Sequence, residues 1–416
     1  MLAYSQRAFV VCLLMLSQLQ VFGGDWPQIL GPQRDGVADG ETLQKEWPTD
    51  GPKLAWSSTV GQGFAGVAVR NDVAYVFQRI RNSEVLEARN TRKGNILWRK
   101  VFPRTYRGGI SRDEGPRCVP TVTDTHVYIF GIAGDLRCLS VTDGDEVWHR
   151  DTTADFNIPE SYFGAGSSPV LHDGKLIVNV GGRDESAVVA FSANDGSTLW
   201  KSFADTASYS SPIVTGSTGI DHALVITRNH MLSLDPDNGE VRFQFPFGMR
   251  GPTVNGATPV VIGHHVFVTS SYRVGSAWAK LAPAGAQPVL SGEDLLATQY
   301  ATPIKHGELL FAIDGRQDVG QVSIKCIDPA QQQVLWSQDT PNYGTMIRVG
   351  DELLFLTCGG ELIRINADRS GYQETQRAQV LRPTRDGYRL PALSKGRLYV
   401  RDDRILKCLK VGSTRR

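Results

Sequence analysis

Val141-Thr142-Asp143-Gly144-Asp145-Glu146-Val147-Trp148 joins a turn rich in Asp and Gly to a short strand that ends in a large aromatic residue. The same shape occurs at Asn90-Thr91-Arg92-Lys93-Gly94-Asn95-Ile96-Leu97-Trp98, at Ser192-Ala193-Asn194-Asp195-Gly196-Ser197-Thr198-Leu199-Trp200 and at Asp235-Pro236-Asp237-Asn238-Gly239-Glu240-Val241-Arg242-Phe243, and more loosely from Asp328 to Trp336. Trp98, Trp148, Trp200 and Phe243 recur at steps of about 43–52 residues, the spacing of four-stranded propeller blades. Ahead of each turn lies a second recurrent element: a proline, an apolar run, a polar turn and another apolar run. Pro120, Pro169, Pro212, Pro259, Pro303 and Pro391 each lead one copy, and the copies beginning at Val67 and Met346 lack the proline. That makes eight. Short β-branched and aromatic runs between Gly and Asp turns read as strands, and no long helical period competes with them.

The two ends of the chain complete each other. The last copy stops after a third strand, Ile405-Leu406-Lys407-Cys408-Leu409, with no tryptophan strand behind it. Lys53-Leu54-Ala55-Trp56 near the start is an orphan strand carrying that tryptophan. The sequence therefore predicts an all-β, eight-bladed β-propeller of four-stranded antiparallel blades, closed by an N-terminal strand that removes the exposed edges.

Domain organisation follows from the same pattern. Arg7 and the apolar run Ala8 to Leu16, followed by Gly23 and Gly24, read as a secretory signal peptide over 1–24, with an uncleaved anchor as the alternative. A lead-in occupies 25–52, a single propeller 53–411 and a tail 412–416. The resulting expectation is a periplasmic or secreted monomer with no transmembrane segment in the mature chain. Lys plus Arg number 44 against 43 for Asp plus Glu, with no basic stripe, which argues against nucleic acid as the partner. With Cys12 inside the apolar run set aside, Cys118, Cys138, Cys326, Cys358 and Cys408 form an odd set with no CxxC. Cys138, Cys326 and Cys408 share a third-strand column with Ala88, Ala190, Ser233 and Arg364, so they read as small buried residues in separate blades.

The repeats resemble those of bacterial PQQ-like (quinoprotein-like) propeller proteins, which carry Ala-x-Asp-x-x-x-Gly-x-x-x-Trp, and the resemblance covers the chain from about residue 26 onward. It implies that Trp56, Trp98, Trp148, Trp200 and Trp336 dock between blades. The opening Trp26-Pro27-x-x-x-Gly31-Pro32-x-Arg34-Asp35-Gly36 is similar to the lead-in of exported members. Two branches set the functional alternatives. Quinoprotein alcohol dehydrogenases hold PQQ and calcium and use a catalytic aspartate and an adjacent-cysteine disulfide, a cysteine pair this chain lacks. BamB-like outer-membrane assembly factors are lipoproteins, and no lipidation box is present here. The resemblance thus makes PQQ and calcium the implied cofactors without assigning residues to them. A fold hosts many activities, so function has to be read from sites.

The blade-to-blade linkers are the long, irregular segments, notably Pro103 to Glu114 and Asp155 to Phe163, and their face is the expected functional one. Three residues before each proline slot the copies read Phe64, Arg117, Gly166, Tyr209, Gly256, Tyr300, Tyr343 and Tyr388. Inner strands converge on the axis, so Phe64, Arg117, Tyr209, Tyr300, Tyr343 and Tyr388 would ring the channel mouth and grip a flat or acidic ligand. The alternative is that the tyrosines pack against neighbouring blades. His126, His172, His264, His265 and His306 fall at hairpin turns, too dispersed for zinc. No metal site or catalytic residue is assigned. The reading favoured by these features is an exported binding or scaffold propeller presenting its linker face to a protein or cell-envelope ligand. A PQQ-dependent or other small-molecule oxidoreductase, with its site over the axial channel, and a BamB-like assembly factor are the alternatives.

Overall fold

The computed structural model describes residues 24–103, 106–108, 113–159, 164–251, 253, 255–282, 287–384 and 389–412. Residues 1–23 of the expected signal peptide 1–24, Tyr388, most of the tail and parts of both long linkers (104, 105, 109–112 and 160–163) lie outside them.

Eight four-stranded antiparallel sheets follow one another round a ring, at 67–103, 121–151, 170–202, 213–246, 260–291, 304–339, 344–379 and 392–410. They are blades 1 to 8, each running from the inner strand at the axis to the outer strand at the rim. Blade 8 contributes three strands from the C-terminal end, and its outer strand is Lys53–Thr59. That strand pairs with Ile405–Lys410, placing Leu54 opposite Leu409 and Trp56 opposite Cys408. The ring is closed as the sequence predicts.

Why the pattern gives this packing is visible at the five blade junctions that carry an outer-strand tryptophan. The aromatic of the outer strand sits opposite the small residue of the third strand: Trp98 opposite Ala88, Trp148 opposite Cys138, Trp200 opposite Ala190 and Trp336 opposite Cys326. Immediately after each pair the register shifts by a bulge, which increases local twist and turns the indole toward the next blade. There the indole N–H donates to a backbone carbonyl: Trp98 to Val141, Trp148 to Ala193, Trp200 to Pro236, Trp336 to Asp368 and, across the closure, Trp56 to Thr91. The rings of Trp56, Trp98, Trp148 and Trp200 cover the turn glycine of that next blade, whereas Trp336 packs edge-on against Tyr372. A Cβ on Gly196, whose φ is +72°, would lie 2.7 Å from Trp148 Cε3, so only glycine fits. The five described cysteines are all buried, in separate places round the ring.

A second set of bonds links the inner strands. Val119 N–H donates to Ser168 Oγ, Ser168 N–H to Ser211 Oγ and Thr258 N–H to Thr302 Oγ1, at 2.8–2.9 Å. Ser168, Ser211 and Thr302 each stand directly before a proline that opens an inner strand. An innermost strand has no neighbour on its axial edge. The proline removes one N–H from that edge, and the preceding hydroxyl accepts an N–H from the blade before it.

The lead-in lies across the axis. Trp26 exchanges both backbone hydrogen bonds with Val69 of blade 1, and Pro27 O accepts from Val122 N of blade 2. Arg34 donates to Ser168 O (2.8 Å) and Pro169 O (3.0 Å) at blade 3. Gly36 O and Ala38 N bond Arg348 of blade 7, and a Cβ on Gly36 would meet Ile304 of blade 6 at 2.4 Å. Gly24 O accepts from the Ser394 hydroxyl of blade 8. Residues 24–38 thus span the mouth of the channel at the ends where inner and second strands join. Gly31, at φ +81°, packs its backbone on the Trp26 ring, which accounts for the Trp-x-x-x-x-Gly spacing.

Candidate functional site at the linker-face mouth

With residues 24–38 across one mouth, the other mouth, edged by the linkers, is where the sequence-predicted column lies. Four neighbouring pairs of its members meet. The Arg117 guanidinium stands 5.0 Å over the Phe64 ring, and that of Arg389, next to Tyr388, stands 5.1 Å from the same ring. A Cβ on Gly166 would meet Tyr209 Cδ1 at 2.4 Å, and one on Gly256 would meet Tyr300 Cδ1 at 3.4 Å. The Tyr300 and Tyr343 rings pack edge to face, 5.7 Å apart. Parts of the column thus come together, and Tyr388 falls outside the described residues.

The members differ in what they can offer a ligand. Phe64, Arg117, Tyr209 and Tyr300 are half-buried. Tyr343 is 2% exposed. Its oxygen accepts from Tyr300 N (2.8 Å) and Ala301 N (2.9 Å) and bonds Thr298 Oγ1, and burial pushes its phenol up to about 12. Tyr343 therefore serves as a wall residue, the packing alternative, with no hydroxyl facing the channel. Arg117 donates to Asp113 O at 2.9 Å and to Gly115 O, so its guanidinium is held in place over Phe64.

Beneath Phe64 is a buried charge cluster that sequence spacing does not reveal. Asp113 Oδ2 accepts from Arg389 Nη2 (2.8 Å) and Gly63 N (3.0 Å), and its Oδ1 from Gly115 N (2.9 Å). Asp113 and Arg389 are 276 residues apart in the chain. Arg401, 1% exposed, adds a second guanidinium bonded to Gly61 O (2.7 Å) and Phe77 O (3.2 Å). Burial, then the like charge of Arg389, lowers Arg401 to about 9. Two buried guanidiniums thus stand beside Asp113, and Asp402 and Asp403 also act on Arg401.

Across the ring at blades 5 and 6, Arg316 stacks 4.2 Å over Tyr272 and pairs with Asp318. Gln299 bridges the Tyr272 hydroxyl (2.7 Å) and Asp318. From blade 2, a five-residue helix, Thr152–Phe156, is capped by the Asp151 carboxylate accepting from Ala154 N. Arg316, Asp318 and Gln299 belong to no repeated column, so periodicity offers no signal for them.

Cofactor fit can be tested against these groups. Calcium needs several converging oxygen ligands. Among the described residues no three His, Cys, Asp or Glu side chains converge, and the chain has no adjacent cysteines. The described residues do not fit a PQQ–calcium site, and no chemical step is derived through one. Among them, too, no helix is long and apolar enough to cross a membrane.

The repeat, the indole docking and the strand-borrowed closure define a PQQ-like eight-bladed propeller. The family model described as "Outer membrane protein assembly factor BamB" matches residues 81–338, more than half of the chain, and the chain belongs to that family. No curated protein matches it by sequence. BamB from Moraxella catarrhalis superposes with a TM-score of 0.62 at 14% identity, over 86% of this chain and 99% of that one. Quinohemoprotein alcohol dehydrogenase from Comamonas testosteroni gives 0.61 at 15%, over 94% and 81%. A europium-containing methanol dehydrogenase gives 0.67 at 11%, over 91% and 89%. At such identities the likeness shows the fold alone.

Proposed function

We propose that this protein is an exported binding or scaffold propeller that engages a protein or cell-envelope ligand through its linker face. One observation carries the reading. Residues 24–38 occupy the opposite mouth and are bonded to five blades through backbone groups and Arg34, whereas the linker mouth has a rim of half-buried aromatic and cationic side chains over a locked Asp113–Arg389 pair. A rim already fixed by internal bonds loses little entropy on binding, which favours recognition. The Arg117 guanidinium held over the Phe64 ring suits an acidic or π-bearing surface. Membership of a family described as an assembly factor agrees with a partner that is a protein, and export through residues 1–24 belongs to the same reading.

The test has two arms. Cross-linking in envelope extracts should capture a defined partner with the wild type and lose it with Phe64→Ala and Arg117→Gln, but not with a substitution at the rim of the outer strands. Purified protein supplied with PQQ and calcium should show no saturable dye-linked oxidation of alcohols or sugars. Turnover in that assay would replace the scaffold reading with the oxidoreductase one.

A further inference from the structure

The closure seam contains a second feature, on the face opposite the linkers. Where the lead-in passes between blades 8 and 1, a cavity of about 500 Å³ is lined by Arg92, Lys395, Arg397 and Lys410, with Asp72 and Tyr399 among the remaining wall residues. Lys395 pairs with Asp72 at 2.8 Å, and the Glu41 carboxylate accepts the backbone N–H groups of Lys395 and Gly396. Arg92, Arg397 and Lys410 have no carboxylate partner among the described residues. Four cations against two carboxylates leave an excess of two positive charges round the cavity.

The register sharpens the point. Arg397 stands directly opposite Lys410 on adjacent strands, and Lys410 directly opposite Lys53 on the next. Directly opposed residues project from the same face of a sheet, so three like charges lie in one row across the closure. Such opposition weakens strand pairing, at the very strands that close the ring. An anion between them would turn that repulsion into attraction.

We propose that this cavity is an anion site that takes a phosphoryl-bearing ligand, with Arg397 and Lys410 as its principal contacts and Arg92 and Lys395 at its margin. A dianionic phosphoryl group matches the excess charge. A planar guanidinium beside an ammonium supplies paired N–H donors to its oxygens. The cavity exceeds what one phosphate fills, so the ligand is a phosphate ester, supplied either as a soluble molecule or as a lipid headgroup.

Calorimetric titration of the full chain at low salt with sn-glycerol 3-phosphate and with inorganic pyrophosphate tests the soluble source. Co-sedimentation with phosphatidylglycerol vesicles, against phosphatidylcholine vesicles, tests the lipid source. Arg397→Gln and Lys410→Gln should each weaken binding by about tenfold in whichever arm binds. Lys280→Gln, an equal charge loss in blade 5, should not. Thermal unfolding without ligand keeps the test independent of folding defects, since relieving the opposed charges should leave the midpoint of either variant equal to or above that of the wild type. Absence of saturable binding in both arms, or binding equally retained by both variants, would overturn the site.

Discussion

Gly174 and Gly196 make a matched pair within blade 3. Their φ angles are +73° and +72°, so alanine incurs the same left-handed strain at both, about 1–2 kcal/mol. Around Gly174 a new Cβ meets nothing within 4 Å. At Gly196 it would lie 2.7 Å from Cε3 and 2.8 Å from Cδ2 of Trp148. Neither side can yield easily. Trp148 is tied by its indole N–H to Ala193 O at 3.0 Å, and Gly196 O accepts from Arg150 at 2.6 Å. Overpacking of this kind costs about 1–3 kcal/mol more. Gly174→Ala should therefore lose about 1–2 kcal/mol and Gly196→Ala about 2–5 kcal/mol. Urea denaturation followed by tryptophan fluorescence, compared at the apparent midpoint, measures both. Equal losses in the two variants would refute the claim that indole-on-glycine docking holds adjacent blades together.

Trp56→Ala should cost about 3–5 kcal/mol and promote aggregation by loosening the closing strand, whereas Leu54→Ser on the same strand, 52% exposed, should stay within about 0.5 kcal/mol of the wild type; denaturation and light scattering separate them. Arg34→Met removes the charged donor that bonds Ser168 O and Pro169 O and should cost about 1–3 kcal/mol, read as faster amide exchange across residues 24–38 with the blades still protected. Glu84, 3% exposed, is raised from 4.5 to about 7 by burial, with Ile132 N–H opposing the shift. A carboxyl whose folded pKa is raised favours the fold below the unfolded value, so its contribution falls as pH rises from 4.5 to about 7 and is level above, a span of about 3 kcal/mol. Glu84→Gln should flatten that part of the stability–pH curve, and an unchanged curve would show the group to be ionised at its ordinary pH.

How much of this was legible follows from what repeats. The turn-Gly-x-x-x-Trp pattern recurs because an indole of one blade docks on the next, at five junctions by its N–H and at four of these on a turn glycine, so one local pattern reports on most of the ring. Leu54 to Trp56 could be assigned to the last blade because a closed ring leaves a single vacancy for it. The column from Phe64 to Tyr388 was legible as a column, since strand register is periodic, but the burial of the Tyr343 hydroxyl depends on Thr298 in the neighbouring blade. Asp113 and Arg389 meet only because the first and last blades adjoin, and no local spacing encodes that. The Ser or Thr before the prolines was a periodic signal that the strand reading passed over, because its role lies in bonds between blades rather than within them.

Those hydroxyls, the prolines and the lead-in answer one geometric problem. Eight inner strands each pair on one side only, so each turns a row of backbone groups toward the axis with no strand to receive them. Proline deletes a donor at the first position of six of these strands, and Ser168, Ser211 and Thr302 accept the donor of the blade before. Farther along, the backbone of residues 26–38 bonds directly to blades 1, 2 and 7. Arg34 reaches the blade 3 carbonyls that the lead-in backbone does not meet, and its cation, lowered to about 9 by burial, is tolerated because those carbonyls receive it. The lead-in is thus a ninth element of the ring rather than a tail preceding it. It bonds the ring at one end of the channel, whereas the linker end is held by the linkers' own contacts, such as Asp113 with Arg389 and Gly63.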